Sequence, residues 1–206
     1  TADHGAVHVP NYLKDNKIPA GYFDSKQFKQ DVLNFIEVEF ESKDLIEGFS
    51  NNQIFFDYQK LKEQDVESDD LQEALYYYLL EYNKIDRVYT RDMIENTNAS
   101  NTFSSAVENG FHPKRSGDVQ YILEPAVISY PQKGSTHGSY MTYDTQAPLM
   151  FYGQGVKPGQ SYKPYHIKDI SPTLSALLGI AQPTGTTGKV IGEALEWFLA
   201  IKISTL

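Results

Sequence analysis

Three residues with metal-binding side chains lie in two loops that are far apart in the sequence. Asp3 and His4 are adjacent and precede Gly5, whereas His137 follows much later, in a segment rich in Gly and Ser. Carboxylates and imidazoles are common ligands of divalent ions such as zinc. A fold that brings the two loops together could use these residues jointly, and a bound ion would be a physical reason to do so. The rest of the chain is therefore predicted to be a scaffold that holds the two loops at one place.

The same residues also have an ordinary structural interpretation. Asp-His-Gly is a suitable turn sequence, because Asp and Gly both favour turns. His8 is either an outer contact of the site or simply a loop histidine. His166 precedes a predicted helix, and we expect it to have only a positional role.

The composition is that of a globular protein with a substantial core. The chain has 206 residues, of which 40% are hydrophobic and 13% aromatic. This is enough for one large domain or for one domain that carries an insertion. The net charge of −9 disfavours non-specific nucleic-acid binding, which requires clusters of Lys and Arg. An acidic protein that binds a phosphorylated ligand must reverse the electrostatic field locally, and bound metal ions can do so.

The absence of cysteine limits the chemistry of any site. It excludes disulfides, thiolate nucleophiles and cysteine-bound zinc. No apolar run is long enough to span a bilayer. The chain starts with Thr1, just before the Asp-His pair. We therefore expect it to be a piece of a longer protein, whose upstream part would include any leader peptide.

The pattern of apolar residues predicts a small α+β unit in the first half of the chain. Asp24 and Gln27 form a predicted capping box at the start of an amphipathic helix, because apolar residues follow at spacings of three and four. A second helix is predicted from Ser68, with acidic residues in its first turn. The other elements predicted here are strands at 53–58 and 85–90, a helical turn at 91–95 and a loop at 96–112.

The second half of the chain is predicted to add strands and two helices. The apolar run 147–152 is typical of a strand buried on both faces, as in parallel sheets. Ser171 is a predicted N-cap with Pro172 at the first helical position. The remaining predictions are strands at 119–124 and 126–130, inward packing of Leu174, Leu177 and Leu178, a helix end at Gly179 and a terminal helix at 192–203.

Four stretches form an ordered set along the chain. They are Thr1-Ala2-Asp3-His4-Gly5, His112-Pro113-Lys114-Arg115-Ser116-Gly117-Asp118-Val119, Thr136-His137-Gly138-Ser139 through Tyr143-Asp144 to Pro148-Leu149, and Asp169-Ile170-Ser171-Pro172-Thr173-Leu174. Together they resemble the alkaline phosphatase superfamily, in particular the bacterial alkaline phosphatases related to type I phosphodiesterases and nucleotide pyrophosphatases. Asp-His-Gly alone is a weak signal, whereas the ordered set is specific.

The resemblance implies a fold and a division of the chain. The fold would be α/β, an α/β/α sandwich of the alkaline phosphatase type, and this chain would be its C-terminal portion. Residues 1–23 and 112–206 would belong to the catalytic domain. Residues 24–111, where the likeness is looser, would form a small inserted α+β subdomain.

The resemblance also implies two divalent metal ions, usually zinc. Asp3 and His4 match the adjacent ligands of one ion, and His137 matches a histidine ligand of the other. Two such ions can stabilise both the attacking and the leaving oxygen at phosphorus. In this family a metal-bound Thr or Ser is the nucleophile. That nucleophile and the further Asp and His ligands come before the Asp-His-Gly motif, so we expect no catalytic nucleophile here and an inactive fragment with an incomplete site.

Three functions remain open at this point. The first is hydrolysis of phosphate monoesters, and the second is hydrolysis of phosphodiesters, nucleotides or phosphonates on the same fold. The third is a non-catalytic α/β binding module, in which the three candidate ligands are ordinary loop residues. Lys114 and Arg115 could face the substrate, although a loop-anchoring role is the favoured interpretation.

The expected partner is a small phosphorylated substrate, with no regulatory nucleic acid and no membrane segment. The family suggests a periplasmic or secreted location. A doubly wound sheet without its first strands would leave an unpaired edge and an uncovered apolar face, so we expect the fragment to self-associate.

Overall fold

A computed structural model describes residues 1–96 and 102–196 of the chain, and these form a mixed α/β structure. The α-helices are α1 Pro10–Asp15, α2 Ser25–Phe40, α3 Tyr58–Glu63, α4 Ser68–Leu80, α5 Arg91–Asn96, α6 Thr102–Gly110, α7 Thr142–Thr145 and α8 Ile170–Leu178. The strands are β1 Gly21–Tyr22, β2 Ile46–Ser50, β3 Gln53–Phe56, β4 Ile85–Thr90, β5 Val119–Leu123 and β6 Val127–Ile128. Two 3₁₀ segments cover Ile167–Asp169 and Gly192–Ala194. Within these ranges no helix is long and apolar enough to cross a lipid bilayer.

The main sheet is antiparallel and has the strand order β2-β3-β5-β4. Ile54 of β3 pairs with Val119 of β5, and Val88 of β4 pairs with Tyr121 of β5. The buried core of this part joins apolar residues of α2 and α4 to residues of the sheet: Phe28, Val32, Ile36, Leu71, Leu75, Leu79, Ile54, Phe56, Val88, Val119 and Tyr121. The helices predicted from residues 24 and 68 and the strand predicted at 85–90 are confirmed, and β5 completes the sheet from beyond residue 111.

A second, smaller core lies beside a parallel strand pair. Strands β1 and β6 pair with Gly21 opposite Val127 and Tyr22 opposite Ile128. The buried residues of this core are Val7, Leu13, Ala126 and Ile128. Since Val7 belongs to the first loop, this core anchors the segment that carries Asp3 and His4.

The chain forms two compact units. One is residues 2–147, and the other is the chain from residue 148 onward together with Thr1. The division into residues 1–23 with 112–206 and an insertion at 24–111 rests on the family resemblance and stays a prediction.

Helix α2 begins as its capping residue predicts. The Asp24 carboxylate accepts hydrogen bonds from the amides of Lys26 and Gln27, at 3.1 and 3.0 Å. It thereby satisfies two of the free amides that every helix start exposes. The Gln27 side chain does not close the predicted capping box, because it donates to Asp31 one turn further along. Helices α2 and α4 meet where the rings of Phe35 and Tyr78 stack at 4.2 Å.

Two predicted segments differ from the structure. A loop was predicted at 96–112, but α6 covers Thr102–Gly110, so the prediction is wrong for these residues. Residues 97–101 lie outside the described ranges. Contacts distant in sequence support α6, since the Phe103 ring lies under the Arg87 guanidinium at 4.7 Å and against Tyr140. The buried strand predicted at 147–152 is also wrong. This segment has no regular secondary structure, and Tyr152 is fully exposed.

The helix after residue 169 starts and packs differently from the prediction. A 3₁₀ turn at Ile167–Asp169 leads directly into α8, so Ser171 is not the N-cap and Pro172 lies at the third helical position. The predicted inward packing of Leu174, Leu177 and Leu178 is wrong, because these leucines are exposed or half-buried; the buried face is Pro172, Thr173 and Ser175. The left-handed Gly179 ends the helix, as predicted.

The remaining predicted elements are shorter than expected. Tyr58 starts α3 and is not the end of strand β3. The strand predicted at 126–130 pairs only through Val127 and Ile128. Of the terminal helix predicted at 192–203, Gly192–Ala194 is a single 3₁₀ turn, and residues 197–203 lie outside the described ranges.

Candidate functional site

The fold brings the three candidate ligands to one place. The rings of His4 and His137 stack with centroids 3.4 Å apart and an interplanar angle of 14°. The carboxylate oxygen Oδ2 of Asp3 lies 3.6 Å from Nε2 of His4. Loops from opposite ends of the compact unit of residues 2–147 therefore meet through these side chains.

Two contacts between the loops hold them together. The Gly5 amide donates a 2.8 Å hydrogen bond to the carbonyl oxygen of Asp144. The Ser135 hydroxyl donates to the carbonyl oxygen of Val7. The backbone approach at Gly5 is so close that a Cβ atom there would lie 2.0 Å from the carbonyl oxygen of Tyr143. Glycine is therefore required at position 5 for packing, beyond its suitability for a turn.

The His137 loop is held by a buried carboxylate. Oδ2 of Asp144 accepts hydrogen bonds from the Ser139 amide at 2.8 Å and from the Ser139 hydroxyl at 2.6 Å. Gly138, between His137 and Ser139, has a φ of +118°, a conformation that favours glycine. Asp144 lies in one of the family-like stretches, but the sequence analysis predicted no role for it.

The hydrogen bonding of His4 leaves one ring nitrogen for a ligand. Nδ1 lies 2.6 Å from the carbonyl oxygen of Gly5. A carbonyl can only accept, so this contact places the proton on Nδ1. In the neutral ring Nε2 then carries the lone pair, on the side of the ring that faces Asp3. A carboxylate oxygen and an imidazole lone pair side by side are suitable donors for a shared cation.

The stacked rings cannot serve a single ion. An imidazole nitrogen binds a metal in the plane of its ring, at about 2.0–2.1 Å for zinc. Two ring planes inclined by only 14°, with centroids 3.4 Å apart, converge far beyond that distance. The arrangement therefore separates His137 from the pair formed by Asp3 and His4. In the described ranges, no group of three or more His, Asp or Glu side chains is arranged to hold a metal ion.

Comparisons with known proteins identify the family. No family model matches the chain. It is 35% identical over 196 residues to alkaline phosphatase PafA of Elizabethkingia meningoseptica and 38% identical over 200 residues to alkaline phosphatase PhoV of Synechococcus elongatus, in each case over 95% of this chain. The chain belongs to the alkaline phosphatase superfamily. A further relative, 38% identical over 201 residues, is a Myroides odoratus protein named calcium-transporting ATPase.

A solved structure of the superfamily has the same fold. The crystal structure of wild-type PafA matches this chain with a TM-score of 0.83 and 35% identity, over 94% of the chain. This confirms the predicted α/β fold of the alkaline phosphatase type. The chain spans 35–36% of the length of the three relatives named above and 37% of the PafA structure.

One superfamily-like stretch, 112–119, is structural at its end. The Asp118 side chain is buried and accepts hydrogen bonds from the Phe56 amide, the Tyr58 hydroxyl and Nε of Arg91, at 2.8, 2.6 and 2.8 Å. Burial, together with Asp118, raises the pKa of Tyr58 to about 12. The residue before Asp118 is Gly117. A side chain would not fit at this position, because a Cβ there would lie 2.7 Å from the carbonyl oxygen of Ile54.

Arg91 anchors the loop that contains Lys114 and Arg115. Its terminal nitrogens donate to the carbonyl oxygens of Pro113 and Ser116, at 2.7 and 3.1 Å. Lys114 and Arg115 are exposed, and their backbone amides bond to His112. Sequence reasoning missed Arg91, because its partners lie more than twenty residues away.

The superfamily-like stretch 169–174 is also structural. The Asp169 carboxylate accepts from the amides of His166 and Lys189, at 2.9 and 2.8 Å. These two amides, with that of Lys189 contributing most, lower the pKa of Asp169. The buried Thr173 hydroxyl donates to the Asp169 carbonyl and accepts from the Ile191 amide. His166 contributes its backbone amide to this arrangement, and the expectation that its role is only positional stays a prediction.

A cavity next to the first loop does not suit a phosphate group. It has a volume of about 740 Å³ and is lined mainly by apolar residues, among them Val7, Leu13 and Tyr143. The charged residues at its wall are Asp86 and Glu124, which would repel an anion. His8 also lines it, and its exposed ring lies 5.3 Å from that of Tyr12.

Proposed function

We propose that this chain is part of a metal-dependent phosphatase that hydrolyses phosphate monoesters with the help of two divalent ions, zinc being the best match to the ligands. The observation that carries the proposal is the meeting of His4 and His137 at 3.4 Å, with Asp3 beside His4. If Asp-His-Gly were only a turn, its residues would not need to contact a loop from the other end of the same unit. The superfamily relatives named alkaline phosphatase support the reaction class.

Each candidate ligand has a distinct task in this proposal. Asp3 and His4 would hold one ion through a carboxylate oxygen and Nε2, while the bond from Nδ1 to the Gly5 carbonyl fixes the orientation of the His4 ring. His137 would hold the other ion, which the nearly parallel orientation of the two rings supports. When bound, the ions supply the positive charge that an acidic protein needs to attract a phosphate and to stabilise the oxygens around phosphorus.

The remaining ligands and the nucleophile would come from the part of the parent protein that this chain does not span. One ion would keep two ligands from this chain and the other ion one, whereas zinc sites have roughly three or four protein ligands. The chain spans 36% of the length of PafA, which leaves room for the missing groups. The isolated chain should therefore bind zinc weakly and should not turn over phosphate esters. A periplasmic or secreted location of the parent protein is part of the same proposal.

Zinc binding by matched variants tests the site. We expect weak zinc binding by the 206-residue chain, measured by calorimetric titration, and a further loss of affinity in His137→Ala. His8→Ala is the matched control, because it removes an exposed histidine of the same unit that packs on Tyr12. Equal affinities of the unmodified chain and His137→Ala would contradict the proposal and favour a non-catalytic module.

Hydrolysis of a chromogenic phosphate monoester tests the division of labour. We expect no zinc-dependent turnover by the 206-residue chain, and zinc-dependent turnover by the full-length parent protein that is lost in its His137→Ala variant. Turnover by the short chain that disappears in His137→Ala would show that the site is complete within these residues. In that case a Thr or Ser of this chain would have to be the nucleophile.

A further inference from the structure

We propose that Asp144 is a positioning residue that sets the place of His137 relative to His4. This inference rests on the proposed metal site, because it gives Asp144 a purpose within that site. The hydrogen bonds of Asp144 go to Gly5 and Ser139 and not to the three candidate ligands, so it acts through residues next to His4 and His137. Its two functional groups, the carboxylate and the backbone carbonyl, contact different loops.

The carboxylate of Asp144 fixes the loop of His137. Oδ2 accepts both the amide and the hydroxyl of Ser139, at 2.8 and 2.6 Å. Ser139 follows His137 by two positions, and the residue between them is Gly138 with its positive φ. Glycine has the greatest backbone freedom of all residues, so a His-Gly-Ser segment needs an external anchor to hold its histidine.

The carbonyl of Asp144 fixes the loop of His4. It accepts the 2.8 Å hydrogen bond of the Gly5 amide, and Gly5 directly follows His4. The same residue is thus bonded to a neighbour of each stacked histidine. A shift of Asp144 would move both loops, whereas loss of its carboxylate would release only the His137 loop.

Asp144 is itself held by its own helix and by its neighbour Tyr143. It belongs to the single-turn helix α7, and its amide donates to the Met141 carbonyl at 2.9 Å. The neighbouring Tyr143 accepts the Ala126 amide through its hydroxyl at 3.1 Å and packs against the small core around Val7 and Leu13. Asp144 can therefore transmit the position of this core to the histidine loop.

Hydrogen bonds satisfy only one of the two carboxylate oxygens of Asp144 among the described residues. The residue is 6% exposed, and its Oδ1 has no hydrogen-bond partner among the residues that the structure describes. Burying a carboxylate oxygen without a partner is unfavourable, and native proteins keep few such groups. An asparagine would still accept the Ser139 bonds through its carbonyl oxygen, so the positioning role rests on the acceptor at Oδ2.

Three variants separate positioning from a general structural role. Asp144→Ala removes the acceptor for Ser139, and Asp144→Asn keeps a carbonyl oxygen in its place. Ser139→Ala removes only the hydroxyl bond and keeps the amide bond. The first measurement is the nuclear Overhauser contact between the ring protons of His4 and His137 in the metal-free chain. The second is zinc affinity, in the presence and absence of His137.

We expect the ring contact to be lost in Asp144→Ala, retained in Asp144→Asn and weakened in Ser139→Ala. Zinc affinity should fall about tenfold or more in Asp144→Ala, the range seen for outer contacts of metal ligands, and should stay within about threefold in Asp144→Asn. In the His137→Ala background, Asp144→Ala should cause no further loss, because a residue that acts through His137 has no effect without it.

The outcomes distinguish this inference from the proposed function. A ring contact that persists in Asp144→Ala, or an equal loss of zinc affinity with and without His137, would overturn the role of Asp144. Zinc affinity insensitive to His137→Ala would overturn the metal site, while the metal-free ring contact would still decide whether Asp144 positions the loop. If Asp144→Ala does not fold, an unchanged ring contact in Ser139→Ala overturns the inference and a weakened one supports it.

Discussion

The amide of Gly5 donates a 2.8 Å hydrogen bond to the carbonyl oxygen of Asp144, and this bond joins the two loops that carry the stacked histidines. The contact depends on the absence of a side chain, since a Cβ on Gly5 would lie 2.0 Å from the carbonyl oxygen of Tyr143. That distance is far inside van der Waals contact, and the atom it meets is backbone, which cannot rotate away. The glycine of Asp-His-Gly is thus a docking residue.

Substitution of this glycine should separate the loops. We expect Gly5→Ala to lose the ring contact between His4 and His137 and to lower the free energy of unfolding by about 1–3 kcal/mol, as overpacking usually does. Urea denaturation and the nuclear Overhauser contact measure the two effects. Gly48→Ala is the control, because a Cβ at Gly48 would meet no atom within 4 Å. Gly5→Ala with an intact ring contact would show that the loop tolerates the displacement.

The buried carboxylate of Asp118 should dominate the stability of the sheet region. Asp118→Ala leaves the Arg91 guanidinium without its buried partner, and the loss of one member of a buried pair typically costs about 3–5 kcal/mol. Asp86→Ala, which breaks an exposed pair with Arg87, should cost less than about 1 kcal/mol. Urea denaturation of both variants checks the difference. Similar losses would mean that the buried network contributes no more than a surface pair.

The stability of the first compact unit should fall at high pH. Burial raises the pKa of Tyr121 from 10.0 to about 12. Between these values the unfolded chain has lost the proton and the folded chain has kept it, so rising pH favours unfolding. The contribution is fully present below pH 10 and is lost as the pH rises through about 12, with a slope of up to about 1.4 kcal/mol per pH unit.

Urea denaturation across this pH range provides the measurement. Tyr121→Phe should give a shallower decline, because the titrating hydroxyl is absent. Tyr77→Phe changes an exposed tyrosine of the same unit and serves as the control. An unchanged decline in Tyr121→Phe would assign the effect to other groups. Phosphatase assays at alkaline pH should accordingly stay below pH 10 to keep this unit folded.

The part of the chain from residue 148 onward should promote self-association. Leu178 and Ile180 are 67% and 60% exposed, although both are large apolar residues. Exposed apolar clusters favour contacts with other chains. We expect light scattering to show association that increases with concentration and that decreases in Leu178→Lys. Val38→Lys, on an isolated exposed valine of α2, is the control. A stable monomer at high concentration would contradict the expectation.

Local signals in the sequence were reliable where they act over a few residues. The cap at Asp24 and the apolar spacing that follows it predicted α2, and the same kind of spacing predicted α4. The β-branched and aromatic segment at 85–90 predicted β4. In each case the residue pattern that predicts the helix or strand spans only one turn or one pleat, so neighbouring residues are enough to recognise it.

The wrong predictions of secondary structure concern segments whose surroundings depend on residues distant in the chain. The apolar run at 147–152 satisfies the pattern of a buried strand, but it pairs with no strand of the described residues. Helix α6 has only a few apolar residues, and one of them, Phe103, contacts Arg87 and Tyr140, which are distant in sequence. A short apolar run does not specify a strand by itself, because pairing partners and burial are tertiary properties.

The sequence by itself determined which side chains this chain can offer: oxygen and nitrogen donors without thiolates, an acidic composition, and family-like stretches in a fixed order. The tertiary structure decided that His4 stacks on His137 and that Asp144 bonds to the neighbours of both. It also decided that Arg91 anchors the nearby loop that contains Lys114 and Arg115. These relationships join residues far apart in the chain, and such contacts depend on how the intervening core packs, which no local pattern of residues records.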